Sequence, residues 1–307
     1  MPVHGKFDVN KNEITFIGQS TKNNEGEEVG SVGTIFCSTN FSGGKISADI
    51  EFEKSESGST VCEFILNRDI GSGDLVNAGI GGSGFLSSVR TFTSDSKLSK
   101  DSKSWTPYGS SGFDDNIKAK KKYHLEVEVK GNTVNLSIDN VLLASTVVPN
   151  LLSVGQPGIL FISKGKVTVT NFTIVKQMQK AFVVMEYSSP YNELYNKVIK
   201  PAALEFDIEA FRADDTYGPG IIISDIIREI NESAIIIAEI TPTNPNVYYE
   251  LGYAHALKKP TILIAKNKTD LPFDVSPFRT LFYTDTIEGR EKIENGLKKH
   301  LEAILNT

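Results

Sequence analysis

The chain has 307 residues, 39% of them hydrophobic and 23% charged; it has room for about two packed domains and is excluded from the disordered and fibrous classes. No run reaches the roughly 18 apolar residues of a membrane span, and the opening MPVHGKFDVNKN lacks the apolar segment of a secretory signal, so a cytoplasmic protein without membrane partners is expected. Residues 1–180 hold 19 Lys and Arg against 19 Asp and Glu, so the whole net charge of −6 falls on the remainder, which excludes a large nucleic-acid footprint.

The first 180 residues carry 20 of the 25 glycines and most of the serines. Their pattern is that of antiparallel strands. In 45–53, Ile46, Ala48, Ile50 and Phe52 alternate with Ser47, Asp49, Glu51 and Glu53, the period of two of a half-buried strand. Residues 123–130 alternate likewise after a solvated basic entry, Lys118 to Lys122. Gly131-Asn132 then turns the chain into Val134, Leu136 and Ile138 as a hairpin. Strands over 155–162 and 167–175 flank a Lys164-Gly165 turn. Short strands without helical period between them predict a sandwich or jelly roll, with 71–84 and 93–115 as long loops. Cys37 and Cys62 lack zinc spacing and cannot build a disulfide framework; reduced, packed thiols and no metal site are expected.

From Ala181 the pattern changes to apolar strands separated by helices. Strands are expected over 182–185, 208–212, 234–240, 261–265 and 281–283. Ser188-Ser189-Pro190 supplies a cap and a first-turn proline for a helix over 191–199. Gly218-Pro219-Gly220 opens a second helix through Ser233, and 246–258 forms a third. The last places Ile293, Leu297, Leu301 and Ile304 on one stripe. This alternation predicts a doubly wound parallel sheet, with ligands outside the carboxyl ends of its strands. The domains expected are therefore an all-β sandwich over 1–177 and an α/β domain over 180–307.

Within TPTNPNVYYELGYAHALKKPTILIA, Asn244 and Asn246 are helix-capping candidates, Glu250 falls near the first turn, and Gly252, Ala254 and Ala256 keep part of the surface small. The helix macrodipole would hold such a carboxylate ionised. On spacing alone, Glu250 is equally a catalytic group or a helix-stabilising one.

The first part resembles concanavalin-like jelly rolls, especially in YHLEVEVKGNTVNLSIDNVLL and GQPGILFISKGKVTVTNFTIV. The resemblance implies a binding or assembly module, with a small molecule or carbohydrate as a possible ligand. Trp105 and Tyr108 are then either a platform for a sugar ring or a lid on the core edge. The second part, in FVVM, YNELYNKVIKPAALEF, FRADD, AIIIAEIT and above all NPNVYYELGYAHAL, resembles bacterial nucleoside 2-deoxyribosyltransferase-like and Toll/interleukin receptor (TIR)-like proteins. That resemblance implies a flavodoxin-like sheet, a homo-oligomer, and hydrolysis of the N-glycosidic bond of NAD or a related nucleotide, as in antiphage effectors. NAD is substrate there, and no cofactor is required. Base exchange between deoxynucleosides and nucleotide binding without turnover are the alternatives.

By the same likeness, Glu250 matches the catalytic carboxylate. Such a group stabilises the positive charge that builds at C1′ as the base leaves, or traps it covalently. Ser188 and the helix behind it are a candidate phosphate site, although Glu186 stands where the family has proline and would repel an anion. Tyr187 is a candidate base-stacking face. Arg212 is either a pyrophosphate clamp or one half of an ion-pair turn with Asp214 and Asp215. Asp225, Asn246 and Tyr249 are expected around the substrate. Glu239 replaces the family's strand-end aspartate, and His255 is expected to pack rather than transfer protons.

Overall fold

In the computed structural model the described residues are 3–23, 26–68, 74–94, 103–148, 152, 155–215 and 222–305. The chain divides into two compact units, Met1–Gln177 and Met178–Thr307.

The first unit is a sandwich of two antiparallel sheets. One sheet has eight strands, including Glu28–Phe36, Gly158–Ser163, Thr60–Arg68, Leu75–Ile80, Ser87–Ser94 and Lys103–Ser111. The other has seven, centred on Lys122–Lys130, Gly44–Phe52 and Lys166–Lys176. Because side chains alternate along each strand, one face of each sheet enters a single shared core. Phe64, Ile80 and Phe161 come from one sheet, and Phe16, Ile50 and Leu136 from the other. Phe16 stacks on Phe161 across the gap, with ring centroids 5.3 Å apart. This two-sheet arrangement fits a jelly roll.

Of the two long loops expected over 71–84 and 93–115, residues 71–73 and 95–102 lie outside the described residues, and much of the rest is strand instead: Leu75–Ile80 and Lys103–Ser111 pair on either side of Ser87–Ser94. Buried polar residues on this part of the sheet, Asn77, Ser88 and Arg90, meet at Glu63, and such positions carry no apolar alternation. The buried carboxylate of Glu63 accepts from Arg90 Nε and Nη2 at 2.8 and 2.9 Å, from Asn77 at 3.1 Å and from Ser88 at 3.0 Å. Trp105 lies over the Arg90 guanidinium, 3.9 Å from ring centroid to carbon. Neither Trp105 nor Tyr108 is on a loop; both belong to Lys103–Ser111.

The second unit is built on five parallel strands: β1 (Gln179–Val184), β2 (Ile208–Phe211), β3 (Ile235–Glu239), β4 (Thr261–Lys266) and β5 (Thr280–Tyr283). Their spatial order is β2-β1-β3-β4-β5. The connecting helices are α1 (191–204), α2 (Ile222–Glu232), α3 (Pro245–Ala256) and α4 (Ile287–Leu305). Helices α2 and α3 pack together, and α1 packs with α4. Phe182, Val184, Ile236, Ala238 and Leu263 share a core with Ile230 of α2 and Val247 and Leu251 of α3. The glycine-proline turn predicted to open α2 lies outside the described residues.

Helix α1 runs through three stretches, Tyr191–Leu194, a wide π-type turn Tyr195–Ile199, and Lys200–Leu204. Pro190 precedes the helix rather than occupying its first turn. Pro201 has no N–H for the carbonyl of Lys197, four residues back. Arg290 of α4 supplies that donor instead, at 3.0 Å, and the turn widens just before the proline.

Candidate functional site

Asn244 sets the start of α3. Its Oδ1 accepts from Asn246 N at 2.9 Å, the arrangement that satisfies an orphan amide at a helix N-terminus. Its Nδ2 donates to Glu186 Oε2, tying the end of β1 to that helix. Of the two asparagines expected as caps, only Asn244 is one; Asn246 is the second helical residue.

A cavity of ≈ 850 Å³ opens beside this tie. Met185, Glu186 and Tyr187 line it from the end of β1, and Ala213 and Asp214 from the turn after β2. Ile223, Asp225, Ile226 and Glu229 come from α2; Asn244, Asn246, Val247, Tyr249 and Glu250 come from the loop after β3 and from α3. The strand order reverses between β1 and β3. Connections leave that point toward opposite faces of a parallel sheet and part to open a crevice.

Glu250 is 7% exposed. Among the described residues no hydrogen bond or ion pair reaches its carboxylate. Burial therefore dominates and raises its pKa to about 7. The expectation that the helix dipole would hold it ionised is corrected. Glu250 is five residues past Pro245, in the second turn of α3, and the dipole's influence fades within the first.

Tyr187, Asp214, Asp225, Asn246 and Tyr249 join Glu250 around the cavity. Arg212 and Ser188 are not among the lining residues. Arg212 is buried, and its fork is filled. Nε and Nη2 donate to Asp214 at 2.8 and 2.6 Å, and Nη1 donates to Asn192 Oδ1 at 2.7 Å. Its guanidinium lies over the rings of both Tyr187 and Tyr195, 4.8 and 4.3 Å from their centroids. Of the two roles open to Arg212 in the sequence, this geometry is that of the ion-pair turn. Asp215 closes the same turn, accepting from the Tyr195 hydroxyl and from Arg212 N. The Ser188 carbonyl accepts from Asn192 N at 2.9 Å, at the start of α1.

Burial, reinforced by the nearby charges of Glu250 and Asp214, raises the Tyr187 hydroxyl well above the ordinary tyrosine value, so it stays protonated. Tyr187 and Tyr249 are 42% and 55% exposed, and the Tyr187 ring already carries the Arg212 guanidinium. Asp225 pairs with Arg228 at 2.9 Å.

Glu229 is a lining residue that motif reading missed. It stands four residues after Asp225 in α2, on the same helix face, and that spacing was the available signal. It pairs with Arg228 at 3.3 Å and Lys180 at 3.8 Å. Glu239 is buried away from the lining, accepting from Tyr283 at 3.2 Å and Thr241 N at 3.1 Å. Desolvation raises its pKa to about 7. The His255 ring stacks on Phe278, with centroids 4.4 Å apart. Among the described residues no group of three or more His, Cys, Asp or Glu side chains is arranged to hold a metal, and no helix is long and apolar enough to cross a membrane.

No family model matches the sequence, and no curated protein matches it. Solved structures are similar over about half the chain. A carbohydrate binding module, CBM66, from Bacillus subtilis is 20% identical, with a TM-score of 0.36, over 53% of this chain and 94% of its own. The catalytic domain of an endo-1,3-beta-glucanase from Thermotoga petrophila is 9% identical, with a TM-score of 0.32, over 53% and 79%. A galectin from Caenorhabditis elegans is 13% identical, with a TM-score of 0.31, over 54% and 99%. These are similarities of layout; the sandwich itself rests on the strand register described above.

Proposed function

We propose that the second unit is an N-glycosidase, with Glu250 as the carboxylate that meets C1′ when the ribosyl bond of a nucleoside or nucleotide breaks. The observation that carries this reading is a buried carboxylate without a partner among the described residues, facing a cavity where the strand order reverses. A buried unpaired acid costs stability, and the same unpaired charge stabilises a transition state in which positive charge develops beside it. In its ionised form Glu250 stabilises the developing oxocarbenium ion or attacks it; water then delivers oxygen to C1′.

The order β2-β1-β3-β4-β5 supports a flavodoxin-like reading of the sheet. The NPNVYYELGYAHAL resemblance supports NAD or a related nucleotide as substrate class, and antiphage defence as setting. The sandwich is then the sensing or assembly module, as in fused effectors, and assembly of several copies is the expected trigger. The filled Arg212 fork favours a second reading, exchange of bases between deoxynucleosides, which requires no pyrophosphate clamp.

The test is release of base from NAD and from deoxynucleosides by the full chain, followed by mass spectrometry at low and high protein concentration. The wild-type protein is expected to release base and Glu250→Gln to release none. Equal activity in Glu250→Gln overturns the assignment. Tight nucleotide binding without turnover at every concentration would make the unit a receiver instead.

A further inference from the structure

We propose that the preferred substrate of the Glu250 cavity is a positively charged N-riboside that carries no phosphate, a nucleoside of the pyridinium type. This rests on the reading of Glu250 as the group that meets C1′, and narrows it.

The charge balance of the walls points there. The described lining holds five carboxylates, from Glu186, Asp214, Asp225, Glu229 and Glu250, and no lysine or arginine. Arg212 answers Asp214, and Arg228 answers Asp225 and Glu229. Glu186 and Glu250 have no cationic partner among the described residues. A phosphate entering this cavity would lose its hydration while facing two uncompensated acids, with no free fork to receive it. Arg212 could take that role only by giving up Asp214 and Asn192.

A cationic base meets the opposite conditions. The half-exposed ring of Tyr249 in the lining attracts a cation, and the unpaired acids supply the countercharge. Glu250 is more than nine-tenths buried, so its pull on a positive ring is weakly screened.

The chemistry follows without a proton donor for the leaving group. When the C1′–N bond of a ribosylpyridinium breaks, both electrons stay on nitrogen and the base departs neutral. The positive charge passes to the ribosyl ring, where Glu250 meets it. Water then bonds to C1′ and releases one proton to the carboxylate or solvent. The products are ribose, the neutral base and one proton.

The experiment measures kcat/KM for nicotinamide riboside, NAD and uridine with the full-length protein, with Glu250→Gln as the blank. Nicotinamide riboside is expected to exceed each of the others at least tenfold. Glu186→Gln, which keeps an oxygen for Asn244, is expected to narrow the gap between the riboside and NAD at least threefold. NAD turned over as well as the riboside, with both lost in Glu250→Gln, overturns the phosphate-free assignment and leaves the glycosidase reading standing. Uridine turned over as well as the riboside overturns the cationic assignment alone. No Glu250-dependent turnover of any of the three overturns both the inference and the reading beneath it.

Discussion

Arg212 and Asp214, two residues apart, form a forked ion pair in which both carboxylate oxygens are held, at 2.8 and 2.6 Å. The pair carries two aromatic rings with it, since the guanidinium lies over both Tyr187 and Tyr195. Arg212 therefore acts on the site by fixing the turn after β2 and the wall that Tyr187 provides. Arg212→Ala is expected to destabilise the second unit by about 2 kcal/mol or more, the scale of lost charge-assisted hydrogen bonds. Urea unfolding followed by circular dichroism measures it. Unchanged stability with lost nucleotide affinity would instead identify a substrate clamp.

Glu250 makes opposite demands on stability and activity. Its folded pKa, about 7, lies above its ordinary value of 4.5, so between those values the folded chain holds a proton that the unfolded chain releases. Stability therefore falls as pH rises from about 4.5 to 7 and is level above that. Glu250→Gln removes this dependence and is expected to be more stable than wild type at pH 8, by up to roughly 3 kcal/mol, but not at pH 4. Turnover needs the ionised form and is expected to rise through pH 7. Thermal melts and pH-rate profiles of both proteins check the pair of signs.

Gly252 lies exposed in α3, and a Cβ built there meets nothing within 4 Å. The small surface at that position therefore accommodates no neighbouring element of the second unit. Gly252→Ala is expected to stabilise the helix by about 0.8 kcal/mol, the propensity difference between the two residues. A lower melting temperature would reveal a need for the bare backbone.

In the sandwich, Glu63 and Arg90 are both buried, and losing one charge strands the other. Glu63→Gln is expected to cost about 3 kcal/mol. Trp105, the sole tryptophan, rests on Arg90, so its fluorescence reports this loss selectively as a shifted denaturation midpoint for the first unit.

The sequence by itself determined the two kinds of layer. Period-two alternation in 45–53 and 123–130 has one low-cost outcome, a sheet with one buried face. The apolar runs 182–185 and 234–240 are each followed by a helix and have one as well, central parallel strands. The strands Leu75–Ile80 and Lys103–Ser111 escaped that reading. Polar groups in this sheet meet partners distant in sequence, as Glu63 meets Asn77, Ser88 and Arg90. The same physics divides the site. Of the eight site residues singled out in the sequence, Glu250, Tyr187, Asp214, Asp225, Asn246 and Tyr249 line one cavity, and Ser188 and Arg212 do not. Whether a charge is free or spent depends on which neighbours folding brings within a few ångströms. Only the tertiary structure decided that Arg212 is consumed by Asp214 and Asn192 and that Asn244 joins Glu186 to α3. The isolation of Glu250 was decided there too, because desolvation and pairing are properties of the packed site and have no signature in residue spacing.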